Sequence, residues 1–347
     1  MKRTILLACA MALPMVLMAG QESSAPAQGS PQQGTQQAAP SPRRGPAARQ
    51  FSLQALNPGF WKRFDKNAKL GTVATGFGFT EGPVWDARNG GVLYVSDEEQ
   101  NHIYLIKPDG TYTIVASLGD PDGSTFDNQL RLINCASVLR AIVRVGPDGS
   151  LTTLTDKYDG QRYNSPNDIV MGPDGAFYFT DPTLDLPKGD TQETPFQGVY
   201  RLAQDGTVTL LTKELDQPNG IAFSPDGKRL YVDDTKQRNI RVYDFHDGTI
   251  SNGRIFGDEH PPAGERGGVP DGMKIDMHGD LFVTGPGGVW LWDSAGNHLG
   301  TIMMPRGPAN LAWGDPDYKT LYMTSGNTVY KLRTKVRGFV PYLKKKK

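Results

Sequence analysis

Six oxygen-bearing side chains recur at one point of a repeating pattern: Glu81, Asp122, Asn167, Asn219, Asp271 and Asn310. They stand 41, 45, 52, 52 and 39 residues apart, and an apolar stretch follows each, as in Glu81-Gly82-Pro83-Val84-Trp85 and Asn219-Gly220-Ile221. None of the six is His or Cys. Carboxylate and amide oxygens are hard ligands that suit Ca²⁺, or else Mg²⁺ or Mn²⁺. Three carboxylates brought to one axis repel one another unless they are protonated or neutralised by a cation. Asn and Asp before Gly are also ordinary turn residues. The spacing alone therefore leaves two readings open, a cation site and a merely hydrated channel.

The elements that must position these residues are legible as repeats. Periods of 39 to 52 residues suit propeller blades or solenoid units. Each repeat carries a second β-rich run, for example Leu93-Tyr94-Val95, Phe177-Tyr178-Phe179 and Leu281-Phe282-Val283, and then a third, such as Ile103 to Ile106 and Val289 to Trp292. These runs are short, rich in β-branched and aromatic residues, and alternate in polarity. Asp-Gly turns at Asp109-Gly110, Asp148-Gly149, Asp174-Gly175 and Asp226-Gly227 fall where hairpins need positive φ. The expected fold is all-β: one six-bladed propeller over residues 53–340. The sixth repeat has no clear fourth strand, and Leu70 to Ala74 has the pattern to fill that slot and close the ring. In such a fold the first strand of each blade lines the channel, so the six oxygen-bearing residues converge. A second ring is expected where the second strands end, at Asp97, Asp181, Asp234 and Ser325, with Asp181 the foremost candidate there for substrate contact.

Composition agrees. The 347 residues include 41 Gly and 26 Pro, too many for long helical bundles. With 37 Lys+Arg against 37 Asp+Glu the formal charge is zero, which argues against a basic nucleic-acid binder. Lys2 and Arg3 followed by the apolar run Ile5 to Ala19 read as an export signal over residues 1–27, too short to be a comfortable membrane span. Residues 28–52 are rich in Gln, Pro, Ser, Ala and Gly and read as a disordered linker. Residues 341–347 read as a basic tail. Cys9 falls in the signal, leaving Cys135 alone, so neither a disulfide nor a Cys-based zinc site is expected. The five histidines show no metal-ligand spacing, and no G-x-S-x-G nucleophile elbow is present.

Thr80-Glu-Gly-Pro-Val-Trp85, Asn164-Ser-Pro-Asn-Asp168, Tyr178-Phe-Thr-Asp-Pro182, Pro218-Asn-Gly-Ile-Ala-Phe-Ser-Pro-Asp-Gly227 and Pro270-Asp-Gly-Met273 resemble the senescence marker protein / gluconolactonase / luciferin-regenerating enzyme family, over roughly residues 75–335 and in the family's order. The resemblance implies a six-bladed propeller, a divalent metal in the channel and hydrolysis of sugar lactones or related esters. Carried over by motif, the metal ligands are Glu81, Asn167, Asn219 and Asp271. Asp271 is also the acid/base, and Asn167 a substrate contact. The cation is foremost Ca²⁺, with Zn²⁺, Mg²⁺ and Mn²⁺ as alternatives. Asp122 stands where close bacterial relatives tend to have Asn. Leu132-Ile-Asn-Cys-Ala136 lacks a Glu-His pair often found there, and Ser165-Pro166 replaces an arginine found before Asn167 in some sugar lactonases. These departures leave the metal set intact and bear on the substrate side, where Asp122 joins Asn167 and Asp181 as a candidate substrate contact.

The reading is therefore an exported, periplasmic or secreted, metal-dependent lactone hydrolase. It is a monomer acting on a small molecule, with no nucleic-acid partner and no membrane span after signal cleavage. The alternatives are a phosphotriesterase-like hydrolase at a similar metal site, and a non-catalytic propeller that binds a ligand or protein.

Overall fold

The structure is a computed structural model that describes residues 50–261 and 267–343. The signal and nearly all of the linker lie outside these residues. Six antiparallel sheets of four or five strands follow one another along the chain, with a two-stranded ribbon, Lys157–Tyr158 and Gln161–Arg162, between the second and third. Their innermost strands are Thr80–Asp86, Pro121–Phe126, Ile169–Met171, Pro218–Phe223, Met273–Ile275 and Leu311–Gly314. These strands neighbour one another in order, and the sixth neighbours the first, so the blades form a ring. Blade 1 is typical: Thr80–Asp86, Val92–Asp97, His102–Ile106 and Tyr112–Ser117 pair in sequence. The inner strands are buried on both faces, which is why they read as near-continuous apolar runs once past the polar residue.

Two segments before Glu81 hold the ring. Gly71–Thr75 pairs antiparallel with Thr328–Arg333 and supplies the outer strand of blade 6, in the slot that the repeat pattern leaves empty. Ser52–Ala55 adds a fifth strand to blade 5 by pairing with His298–Met303. This strand has no counterpart in the other blades, and its first residue falls inside the stretch read as linker. A short 3₁₀ turn, Pro58–Lys62, follows. Asn57 caps it by accepting from the Gly59 N–H at 2.8 Å, and Pro58 begins it, where a missing N–H costs nothing. The turn buries Phe60 and Phe64, and Phe64 meets Phe282 of blade 5 edge-on at 6.3 Å. Arg63 anchors it to Asp280 at 2.6 Å.

The C-terminal segment departs from the tail reading. Val340 and Tyr342 are buried; Tyr342 donates to the Trp85 carbonyl at 2.6 Å and packs on Phe126 at 5.3 Å. Phe339 to Tyr342 lies across the apolar end of the channel with Trp85, Phe223 and Trp313. Burying an aromatic side chain contributes about 1.5–3 kcal/mol, more than a solvated lysine run offers in return for release. The tail therefore begins no earlier than Leu343.

A chain starting at Phe77 lacks both N-terminal strands and is expected to melt on the order of 10 °C or more below one starting at Gln50. Scanning calorimetry of the two compares them directly, and equal midpoints would contradict closure through Gly71–Thr75.

Candidate active site

The six column residues sit where each inner strand begins. Glu81, Asp122 and Asn219 lie within their strands, while Asn167, Asp271 and Asn310 lie one or two residues before theirs. A glycine follows Glu81, Asp122, Asn219 and Asp271 for a packing reason. At Gly82, where φ is +47°, a Cβ would overlap the Asp122 carbonyl, and at Gly220 it would overlap the Asp271 carbonyl. Adjacent inner strands approach too closely for a side chain. The polar-Gly pair is thus a mark of convergence at the axis rather than of a turn.

Hydrogen bonds divide the column. Glu81 Oε2 accepts from the Gly82 N–H at 2.7 Å and from Asn310 Nδ2 at 2.9 Å, while Oε1 is buried without a partner. Asn167 Nδ2 donates to Asp122 Oδ2 at 2.7 Å. Asn219 Nδ2 donates to Thr235 Oγ1 at 3.2 Å. Thr235 is itself oriented by donating to the Pro270 carbonyl at 2.7 Å. Both asparagines therefore spend their N–H groups on neighbours and keep their oxygens for the channel. Asn310 does the opposite. Its Oδ1 accepts from Lys274 Nζ at 3.0 Å and from the Leu311 N–H at 2.8 Å. Glu81, Asn167, Asn219 and Asp271 are left as donors of free oxygens, and Asp122 and Asn310 support them.

The electrostatics follow from this convergence. Burial pushes the Glu81 carboxyl up to about 7, with the Gly82 N–H and the Asn310 amide opposing the rise. Burial and then the Glu81 carboxylate raise Asp271. Burial, then Glu98 and Glu81, raise Asp122. Three further carboxylates join them, all half-buried: Glu98, Asp120 and Asp185. Glu98 is pushed up to about 11 by burial and then by Glu81, Asp185, Asp120 and Asp271. Asp120 is pushed up to about 7 by burial and Asp185. Sequence reading missed these three because they stand outside the repeat position, although Glu98 follows Asp97 of the second ring and Asp120 precedes Asp122 by two.

Asp181 is not brought to the site surface. It is fully buried, and its Oδ2 accepts from the Asn164 N–H at 2.9 Å. Its ring partners do the same work. Asp97 accepts from the Gly78 and Phe79 N–H groups, and Asp234 accepts from those of Asp216 and Gln217. Each carboxylate ties down the connection that enters its own blade, and strand-end position alone does not distinguish that task from substrate contact. Asp181 thus holds the turn that presents Asn167, from a buried position behind it.

Among the described residues no three His, Cys, Asp or Glu side chains are grouped to hold a metal ion. The candidate donor set contains only two carboxylates, and amides supply the rest. The bare buried oxygen of Glu81, the free amide oxygens and the mutual repulsion of the carboxylates fit a hard divalent cation.

With this geometry in place, comparison with known proteins is direct. The model of the SMP-30/gluconolactonase/LRE-like region matches residues 79–327. The chain belongs to this family. A gluconolactonase of Zymomonas mobilis is 32% identical over 300 residues, covering 79% of this chain and 83% of that protein. A pentonolactonase of Haloferax volcanii is 29% identical over 267 residues, covering 71% and 80%. The solved structure of a Xanthomonas campestris gluconolactonase superposes with a TM-score of 0.75 at 31% identity, over 83% of this chain and 98% of that one. The luciferin-regenerating enzyme, at 22% identity and a TM-score of 0.68, shares the fold.

Glu81 and Asp120 near 7, and Asp181 pushed up to about 8, all hold protons more tightly folded than unfolded. Their stabilising contribution is complete below about pH 4 and is lost as pH rises through 7 to 8. In chelator, the thermal midpoint is expected to fall between pH 5 and pH 8. Calorimetry across that range checks the sign, and a midpoint that rises steadily would contradict the assignment.

Proposed function

We propose that the protein hydrolyses a sugar lactone or a closely related ester, as a gluconolactonase-like enzyme that uses a divalent cation, foremost Ca²⁺. One observation carries this reading: the channel end holds a carboxylate, Glu81, with one oxygen accepting two hydrogen bonds and the other bare, near a second carboxylate, Asp271, and two asparagines whose amide nitrogens are engaged and whose oxygens are left free. Relatives named gluconolactonase and pentonolactonase support the substrate class. A structural neighbour, the calcium-binding protein regucalcin of Agrobacterium tumefaciens, supports a cation in this fold.

Glu81, Asn167, Asn219 and Asp271 are the residues that would hold the cation. When bound, it would polarise the lactone carbonyl and stabilise the negative charge growing on that oxygen. Asp271 takes the proton from the attacking water as its oxygen bonds to the carbonyl carbon. The ring C–O bond then breaks, and the proton passes from Asp271 to the departing ring oxygen, giving a hydroxy acid. Asn167 is fixed by Asp122 and is the amide placed to meet substrate as well. Glu98 and Asp120, which hold protons readily, can donate hydrogen bonds to substrate hydroxyls. Export to the periplasm or beyond is part of the same proposal and rests on the charged start and apolar run of residues 2–19.

Asp271→Asn keeps the shape and an oxygen but removes the base. A fall in kcat on the order of 10²-fold or more is expected, with folding retained. Glu81→Gln should weaken cation binding and recover in part with excess cation. Wild-type turnover by Asp271→Asn at saturating cation, or full wild-type activity in strong chelator, would overturn the reading. Charge gives a second test. Lys274, the cation acting on Glu81, is engaged by Asn310 and Asp168 and is not free to pair with a substrate phosphate, while Asp271, which must be ionised to act as the base, adds negative charge. A neutral aldonolactone should be hydrolysed with a kcat/KM at least about tenfold above that of its phosphorylated counterpart; the reverse order would contradict this account of the mouth.

A further inference from the structure

We propose that Asn310, held from beneath by Lys274, is a positioning residue that aims Glu81 at the channel and is not itself a ligand. The inference rests on the cation reading above and extends it to a column position that the ligand set leaves out. Position alone makes Asn310 equivalent to Asn167 and Asn219: it opens the inner strand of its blade and is buried to the same degree. Its hydrogen bonds make it different. An amide has one acceptor oxygen and one two-proton donor nitrogen, and a ligand must keep the oxygen free. The Asn310 oxygen is taken twice, by Lys274 Nζ at 3.0 Å and by the Leu311 N–H at 2.8 Å. Its backbone is fixed as well, with the Asn310 N–H donating to Thr324 Oγ1 at 2.9 Å. These contacts dictate which end of the amide turns inward. Nδ2 is the end that faces Glu81, and it donates to Oε2 at 2.9 Å.

The consequence falls on Glu81. With Gly82 N–H and Asn310 Nδ2 both on Oε2, rotation of the carboxylate is blocked and the bare oxygen is always Oε1. Losing the Asn310 donor would leave the group one hydrogen bond short and free to turn. Lys274 suits its part because it reaches the axis from blade 5, with its ammonium also 3.9 Å from Asp168 Oδ2 of blade 3. Three blades are thus linked beneath the carboxylate that a fourth supplies.

The test is a double-mutant cycle read by Ca²⁺ titration calorimetry on metal-stripped protein, with Mn²⁺ as a second probe. Asn310→Leu in the wild-type background should weaken Ca²⁺ binding about tenfold, while chelator melts and circular dichroism report whether the fold is kept. Asn310→Ser, which is smaller and retains a hydroxyl for the Leu311 N–H, serves if the leucine variant does not fold. In a Glu81→Gln background the same substitutions should cost little more, because the carboxylate they act on is gone. Equal losses in both backgrounds would mean that Asn310 binds the cation itself or acts on the fold at large, and would overturn the inference alone. A wild-type protein that binds neither cation would overturn the cation reading and this inference with it.

Discussion

Six inner strands meeting at one axis crowd carboxylates together, and this repulsion is the constraint on which the rest of the structure depends. Glu81, Asp122 and Asp271 each arrive on a different blade, and burial raises the proton affinity of each before any neighbour acts. Such an arrangement survives only if the scaffold is rigid enough to hold it against its own charge. The rigidity is visible in the closure. Gly71–Thr75 joins the last blade, Ser52–Ala55 thickens blade 5, and Phe339 to Tyr342 covers the apolar end of the channel. A ring whose last blade is completed by the N-terminal segment is held against opening to relieve the crowding.

Within that frame, small hydrogen-bond choices decide what each side chain can do. Asp122 accepts from Asn167, and Asn310 donates to Glu81, so the two supports have opposite polarity. An acceptor beside an asparagine turns the amide oxygen outward; a donor beside a glutamate occupies one of its oxygens. The aspartate at position 122 therefore has a physical role in holding the Asn167 amide. Its Oδ2 accepts from the Asn167 amide nitrogen, which leaves the amide oxygen to the channel. The buried Asp97, Asp181 and Asp234 act one layer out, gathering backbone N–H groups at the entry of their blades.

Much of this was legible in the sequence. The repeat spacing and the hairpin turns gave six blades, and the empty slot after Leu332 pointed to Leu70 to Ala74 as the closing strand. The column itself followed from the position of one polar residue per repeat. What escaped had no periodic signal. Ser52–Ala55 is a four-residue strand without a counterpart in other blades, and Phe339 to Tyr342 is an irregular apolar run beside lysines. The buried setting of Asp181 was not legible either, because a strand-end aspartate looks the same whether it faces a ligand or a backbone N–H. The division of the column into oxygen donors and supports lies in side-chain partners from different blades, such as Lys274 and Asn310, which no spacing rule brings together.

The central claim is that Glu81, Asn167, Asn219 and Asp271 together hold one divalent cation on the axis. Anomalous diffraction from crystals grown with Mn²⁺ tests it most directly, because the signal locates the ion without reference to activity. The account predicts a single strong peak within coordination distance of Glu81 Oε1, the two asparagine Oδ1 atoms and the Asp271 carboxylate, with Asn310 outside the coordination shell. No peak at the axis, or one coordinated by Asp122 and Asn310 instead, would contradict it.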